Sequence, residues 1–159
     1  MCIRDSYKGQ QIEITTFRSD SYDGQSRNPE VVYGDTLEGD LVRRDFKANA
    51  MAIELLADAS FKFHDPLHGL QDIADRVLDT PDKPEISFHD DPLRMLRAAR
   101  FASQLEFRVA DRVVEAMRDM AGEIQRITVE RVQVELDKLI CGTAPWDGID
   151  LLVLSLIHI

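Results

Sequence analysis

The sequence predicts an α+β fold in which a small sheet fragment comes first and an array of helices follows. Three observations carry that expectation. The stretch Gln11 to Phe17, QIEITTF, alternates polar and apolar residues and is rich in β-branched side chains, as a half-buried strand is. Arg18 to Gly39 is then crowded with Gly, Pro, Ser, Asp and Asn, which interrupt regular structure. From Asp90 onward apolar residues recur at helical spacing, in DDPLRMLRAARF, in Ala110 to Ala121 and in TVERVQVELDKLI.

Within the strand, Ile12 and Ile14 share one side and Glu13 faces the other. The polar stretch after it reads as a loop, broken by a short strand at Glu30 to Tyr33. Asp45 is expected to cap a helix carrying Phe46, Ala50, Ile53 and Ala57 on its apolar side. DPLHGLQDI, Asp65 to Ile73, reads as a turn into a short helix, with Gly69 available for a backbone geometry that other residues avoid. Val77 to Pro81 reads as a brief strand and Asp82 to Glu85 as a turn. Asp91 and Pro92 then open a helix, because a carboxylate satisfies orphan N–H groups there and proline is at home in a first turn. In the next helix Val113, Val114, Met117 and Met120 form the apolar side, and Gly122 closes it. Thr128 begins the last one without a capping box, since Arg131 stands where the acid belongs, and Val129, Val132, Leu136 and Leu139 form its buried stripe.

Composition narrows the class. Of 159 residues, 44% are hydrophobic and 30% charged, a balance that excludes a disordered or membrane-embedded chain. The formal net charge of −10 argues against a diffuse nucleic-acid coat, so any phosphate binding must be local. Cys2 and Cys141 lack the paired spacing of a zinc site, which points to a reducing compartment without a disulfide framework. No signal peptide opens the chain, and the closing run LLVLSLIHI is too short to span a bilayer. MCIRDS and LSLIHI resemble translated sequencing-adaptor read-through, so residues 1–6 and 154–159 are set apart from the fold and the protein is expected to continue both ways.

Arg94, Arg97 and Arg100 recur every three residues along one helix, neighbours sitting roughly 60° apart around it, with no acid between Pro92 and Leu105. In so acidic a chain, such a stripe suits an anion that comes and goes. A solvated face, or pairing with acids from elsewhere in the fold, accounts for it equally simply. A second cluster combines Arg43, Arg44, Asp45 and Asn49 around one helix start, where anions are attracted; there too Asp45 could be only a cap and Asn49 an exposed amide.

Together these stretches resemble a known family. Residues 40–50, DLVRRDFKANA, are similar to the Arg-Arg-Asp-Phe-Thr-x-Asn-Ala motif of class II tRNA nucleotidyltransferases, the CCA-adding enzymes and their bacterial poly(A) polymerase relatives. Residues 90–101 resemble the family's Glu-Asp-x-x-Arg motif, DPLHGLQDI its linking segment and ERVQVELDKLI its later helical motif, in the family's order. TFRSDSYDGQSRNP and GDTLEGDLVRRDF look most like the actinobacterial form. The resemblance implies the C-terminal part of a nucleotidyltransferase palm sheet over residues 7–64. A linker and truncated helical neck that recognises nucleotide would occupy 65–140, and a further helical segment would begin at 141–153.

The resemblance further implies that Asp91 and Arg94 meet the base edge of incoming CTP or ATP. Arg44, Arg97 and Arg100 would hold the triphosphate, and Asp45 and Asn49 would face the ribose. Glu13 stands where the superfamily places a third carboxylate. The partners implied are CTP, ATP and the tRNA 3′ end, in the cytoplasm and without a membrane. The cofactor implied is Mg2+, with its ligands expected upstream, so no metal site is assigned within these residues and the chain alone is expected to be inactive. Lys47 departs from the usual threonine, Ala48 from a branched apolar residue and Asp90 from glutamate. Alternatives are a poly(A) polymerase or A-adding relative, and an inert helical module binding an anion or acidic partner. A metal-dependent phosphohydrolase is a further rival, suggested by the His64-Asp65 and His89-Asp90 pairs.

Overall fold

The computed structural model describes residues 2–21, 30–33, 36–155 and 157; the remainder of the loop expected at 18–39 lies outside the described residues. The chain divides into two compact units, Met1–Arg43 and Arg44–Ile159.

In the first unit, β1 (Cys2–Tyr7) and β2 (Gln10–Thr15) form an antiparallel hairpin, with Glu13 opposite Arg4. Its turn is Lys8-Gly9, both at positive φ, where Gly9 adopts the left-handed region without a steric cost. β3 (Arg18–Ser21) pairs antiparallel with β4 (Glu30–Tyr33), the strand expected inside the loop. α1 (Leu37–Val42) was not foreseen in that polar stretch, yet its cap is legible: the Thr36 hydroxyl accepts from Gly39 N at 3.2 Å.

The second unit departs from the expected helix at its first residues. Asp45 caps no long helix: a single 3-10 turn, Lys47–Asn49, gives way to an antiparallel hairpin of β5 (Ala52–Leu55) and β6 (Phe61–His64). The Asn49 Oδ1 accepts the Phe46 N–H at 3.3 Å, closing the turn locally. Asp58 then ties back Ser60 through its backbone N–H and hydroxyl, and Ala59 at φ 63° reverses the chain. Phe46 and Ala50 are buried as expected, but Ile53 is 62% exposed because it lies on the hairpin.

α2 (Gly69–Ala74) follows the expected turn, its first N–H groups held by Asp65, which accepts from Gly69 N at 2.6 Å and Leu70 N at 3.0 Å. The left-handed residue is His68, not Gly69. Glycine is required at 69 for space, since a Cβ there would collide with the Lys47 carbonyl. β7 (Val77–Leu78) is the brief strand foreseen, and the expected turn after it instead runs into α3 (Pro84–Asp90), with proline in its first turn.

The chain breaks at Asp91, whose backbone is extended, and restarts as α4 (Leu93–Leu105). β8 (Arg108–Val109) then pairs parallel with β7, closing the region that contains α3 and α4. α5 (Asp111–Asp119) is not ended by Gly122; a 3-10 segment, Ala121–Arg126, continues instead. α6 (Val129–Ile140) carries Val132, Leu136 and Leu139 inward, but Val129 is 77% exposed in its first turn, and Glu135 takes a buried place in the stripe. The Thr128 side chain makes no cap bond, so that helix start is held by the Thr128 carbonyl.

α4 is the axis of this unit, with α6 and α7 (Pro145–Leu154) packed on it. Its Ala98, Ala99 and Ala102 permit close approach, and a Cβ at Gly148 would sit 2.6 Å from the Ala99 carbonyl. The Ser103 hydroxyl donates to the Leu139 carbonyl at 2.6 Å, and the Ser103 carbonyl accepts from Ala144 N at 2.8 Å, binding all three helices. Phe46, Phe88, Met95, Val113, Met117 and Leu139 fill the core around it.

Candidate nucleotide-reading site

Asp91 sits at the joint between α3 and α4, half-buried, where Pro92 has no N–H to continue the first helix. One carboxylate oxygen accepts from Leu93 N at 3.2 Å and caps α4. The other accepts from Arg131 Nη2 of α6 at 2.9 Å. One turn into α4, Arg94 donates from Nη1 to the Ser87 hydroxyl of α3 at 2.8 Å. Asp91 and Arg94 thus stand three residues apart at the head of one helix, each engaged by partners from a neighbouring helix.

The rest of the arginine stripe is matched by acids from distant segments. Arg97 donates from Nε to Asp45 at 2.5 Å, and the same carboxylate receives the Asn49 amide at 2.8 Å. Phe46, next in sequence, meets Phe101 edge-on with ring centroids 5.6 Å apart. Residues 45 and 46 therefore grip positions 97 and 101, four apart and on one face of α4. Arg100 is 7% exposed, lies over the Phe101 ring at 4.1 Å and pairs with the equally buried Glu135 at 3.2 Å. For Arg97 and Arg100, pairing with acids from elsewhere is what the fold realises. Arg44 and Asn49 are exposed.

Burial alone would raise the Asp45 carboxyl, but the Arg97 guanidinium and the hydrogen bonds from Asn49 and Arg97 outweigh it and hold the group below its ordinary value of 3.8. A depressed folded-state value contributes stability that is present above the unfolded value and lost as pH falls through the folded one. Asp45→Asn is therefore expected to flatten the loss of stability below about pH 4, measured as urea midpoints across an acid series against the parent.

Lys47 binds Asp79 at 2.6 Å, beside Arg112, which reaches the same carboxylate at 2.7 Å. Burial would raise Asp79, and these two cations lower it further than burial lifts it. His64 is engaged with Glu54 at 2.8 Å. Glu13 lies in the other unit on β2 and is exposed. Sequence reading passed over Ser87, Phe101, Arg131 and Glu135. Glu135 had a signal: an acid on the inner face of an amphipathic helix implies a buried cation opposite it.

Known proteins carry the same arrangement of segments. A model described as the poly A polymerase head domain matches residues 2–79, and one described as "Probable RNA and SrmB- binding site of polymerase A" matches residues 106–158. The chain is 41% identical over 142 residues to a CCA-adding enzyme of Listeria innocua serovar 6a, covering 89% of this chain and 35% of that protein. The crystal structure of the Bacillus stearothermophilus CCA-adding enzyme in complex with CTP matches with a TM-score of 0.82 at 34% identity, over 95% of this chain and 35% of that one.

The chain belongs to the CCA-adding and poly(A) polymerase family.

A further member of the neighbourhood is a tRNA nucleotidyltransferase complexed with a primer tRNA and an incoming ATP analog, with a TM-score of 0.81 at 26% identity over 97% of this chain and 42% of that one. The chain spans about a third of the length of the family members it matches first, 35% in each of the two named.

Proposed function

We propose that the full-length protein containing this chain is a class II tRNA nucleotidyltransferase of the actinobacterial form, adding CMP and AMP from CTP and ATP to the tRNA 3′ end. The observation that carries this reading is the placing of Asp91 and Arg94 one turn apart at the head of α4, in a chain whose relatives include structures with CTP and with an ATP analog. A carboxylate accepts from an exocyclic amine, which cytosine and adenine both present, while a guanidinium donates to ring acceptors. GTP and UTP, which lack an amine at the matching edge of the base, would leave Asp91 without that donor, and an unmatched polar group at a reading edge costs more than a matched one gains.

On this reading Asp45 and Asn49 face the ribose, and Arg44 and Arg97 approach the phosphates, Arg97 with 32% of its side chain open. Arg100, closed beside Glu135, adds charge behind them. Glu13 is the candidate third carboxylate of the transfer centre. Among the described residues no group of three His, Cys, Asp or Glu side chains could hold a metal ion. The Mg2+ of the full-length enzyme would take ligands from upstream. As an enzyme acting on tRNA it would work in the cytoplasm, and no helix among the described residues is long and apolar enough to cross a membrane.

The test is nucleotide incorporation by the full-length protein on tRNA transcripts lacking one, two or three 3′-terminal nucleotides. Restoration of CCA on all three is expected. Addition of A alone, or of long A tracts, would move the protein to its A-adding or poly(A) relatives. No transfer, with equal binding of all four triphosphates, would reduce it to a helical module that docks anions.

A further inference from the structure

α3 enters the family reading only as the helix that precedes the base-reading pair, yet one of its residues touches both members. Ser87 is buried beside Phe88, four residues before Asp91 and seven before Arg94. Its hydroxyl accepts from Arg94 Nη1 at 2.8 Å, and its carbonyl accepts the Asp91 N–H at 3.2 Å. The side chain of one residue therefore holds the Arg94 guanidinium while its carbonyl holds the backbone of Asp91.

The consequence follows from arginine's shape. A guanidinium is a planar fork, so holding one nitrogen restricts the plane in which its other donors are offered. Asp91, by contrast, is oriented by Leu93 N and Arg131, which leave its position dependent on the end of α3. We propose that Ser87 is a positioning residue for base discrimination: its hydroxyl sets the plane of Arg94 so that guanidinium and carboxylate present one edge to cytosine or adenine. The inference deepens the proposed function and rests on that reading of Asp91 and Arg94. Ser87 meets no base itself; it acts through Arg94. Because a misplacement of about 1 Å in a recognition group can cost on the order of 10²-fold, loss of one buried tether is expected to register in selection.

The experiment compares Ser87→Ala, Ser87→Thr, Asp91→Ala and Arg94→Ala in the full-length protein, with steady-state incorporation of each of the four triphosphates and thermal unfolding of every variant. Ser87→Ala removes the hydroxyl but keeps the carbonyl bond to Asp91. It is expected to raise KM for CTP and ATP about tenfold with kcat little changed, and to narrow their lead over GTP and UTP. Ser87→Thr, which retains the hydroxyl, is expected to restore the lead. If Ser87→Ala leaves discrimination intact while Arg94→Ala destroys it, the positioning role is wrong and the reading of the pair survives. If Ser87→Ala lowers the unfolding temperature and kcat together at unchanged discrimination, Ser87 is structural only and the inference fails. If neither Asp91→Ala nor Arg94→Ala alters the choice of triphosphate, the reading fails and takes the inference with it.

Discussion

On the proposed reading, Asp91→Ala in the full-length protein is expected to collapse a preference for CTP and ATP over GTP and UTP, lowering kcat/KM for those two nucleotides by roughly 10- to 100-fold. That range corresponds to about 1.5–3 kcal/mol, the worth of a hydrogen bond to a charged group. The structural side of the substitution is smaller. Asp91 caps α4 through Leu93 N at 3.2 Å, a contact worth about 1 kcal/mol. Its pair with Arg131 is largely solvated and contributes less than about 1 kcal/mol. The variant should therefore fold, and the change should appear in nucleotide choice rather than in yield. Single-turnover incorporation with each triphosphate measures it; an unaltered ranking of the four would remove the basis for reading this helix head as a complement to a base.

The largest effect on stability is expected from Glu135→Ala. Burial lowers the Arg100 pKa, and Glu135 is the charge that opposes the shift. Removing it strands a guanidinium on the inner side of α4, at a cost of about 3–5 kcal/mol. The pair itself is not strongly bonded: Arg100 Nε and Glu135 Oε2 approach to 3.2 Å but are misaligned, and neither atom has a hydrogen-bond partner. Its attraction is mainly Coulombic, so replacing both residues by methionine should recover most of the loss. Urea unfolding followed by circular dichroism of the single and double variants separates these outcomes. A Glu135→Ala cost below about 1 kcal/mol would show that water reaches Arg100 and that the pair is of the surface kind.

The contacts of Arg131 with Asp91 and of Glu135 with Arg100 join segments far apart in the chain, and local sequence signals carry neither. Helices α4, α5 and α6 were legible because their signals are local: proline and an acid at a helix start, and apolar residues returning every three or four positions. The strand at Gln10–Thr15 was legible through its two-residue alternation, although it is exposed along its whole length, Ile12 at 45% and Ile14 at 58%, and not half-buried as that alternation implied. The segment after Asp45 misled because Phe46, Ala50 and Ile53 fit a helical period by spacing alone. Asn49 binding the Phe46 N–H, and the reversal at Ala59, chose a turn and a hairpin instead. The parallel pairing of Val77–Leu78 with Arg108–Val109 had no local signal at all, being two short strands brought together by the packing of the helices between them.

The candidate site shows the same division. Residue types and spacing marked Arg44, Asp45, Asn49, Arg94, Arg97 and Arg100 as two charged clusters, the family resemblance added a role for Asp91, and local chemistry placed Asp91 at a helix head, because capping depends only on neighbours in the chain. Which cation meets which acid was decided by tertiary structure: Asp45 reaches Arg97 across 52 positions, and Arg131 reaches Asp91 across 40. Charge attracts without regard to sequence distance, and burial determines how strongly, so the pairing follows only once helices have been packed. Arg97 therefore remains half open while Arg100 is enclosed against Glu135, although along the sequence the two arginines belong to the same stripe.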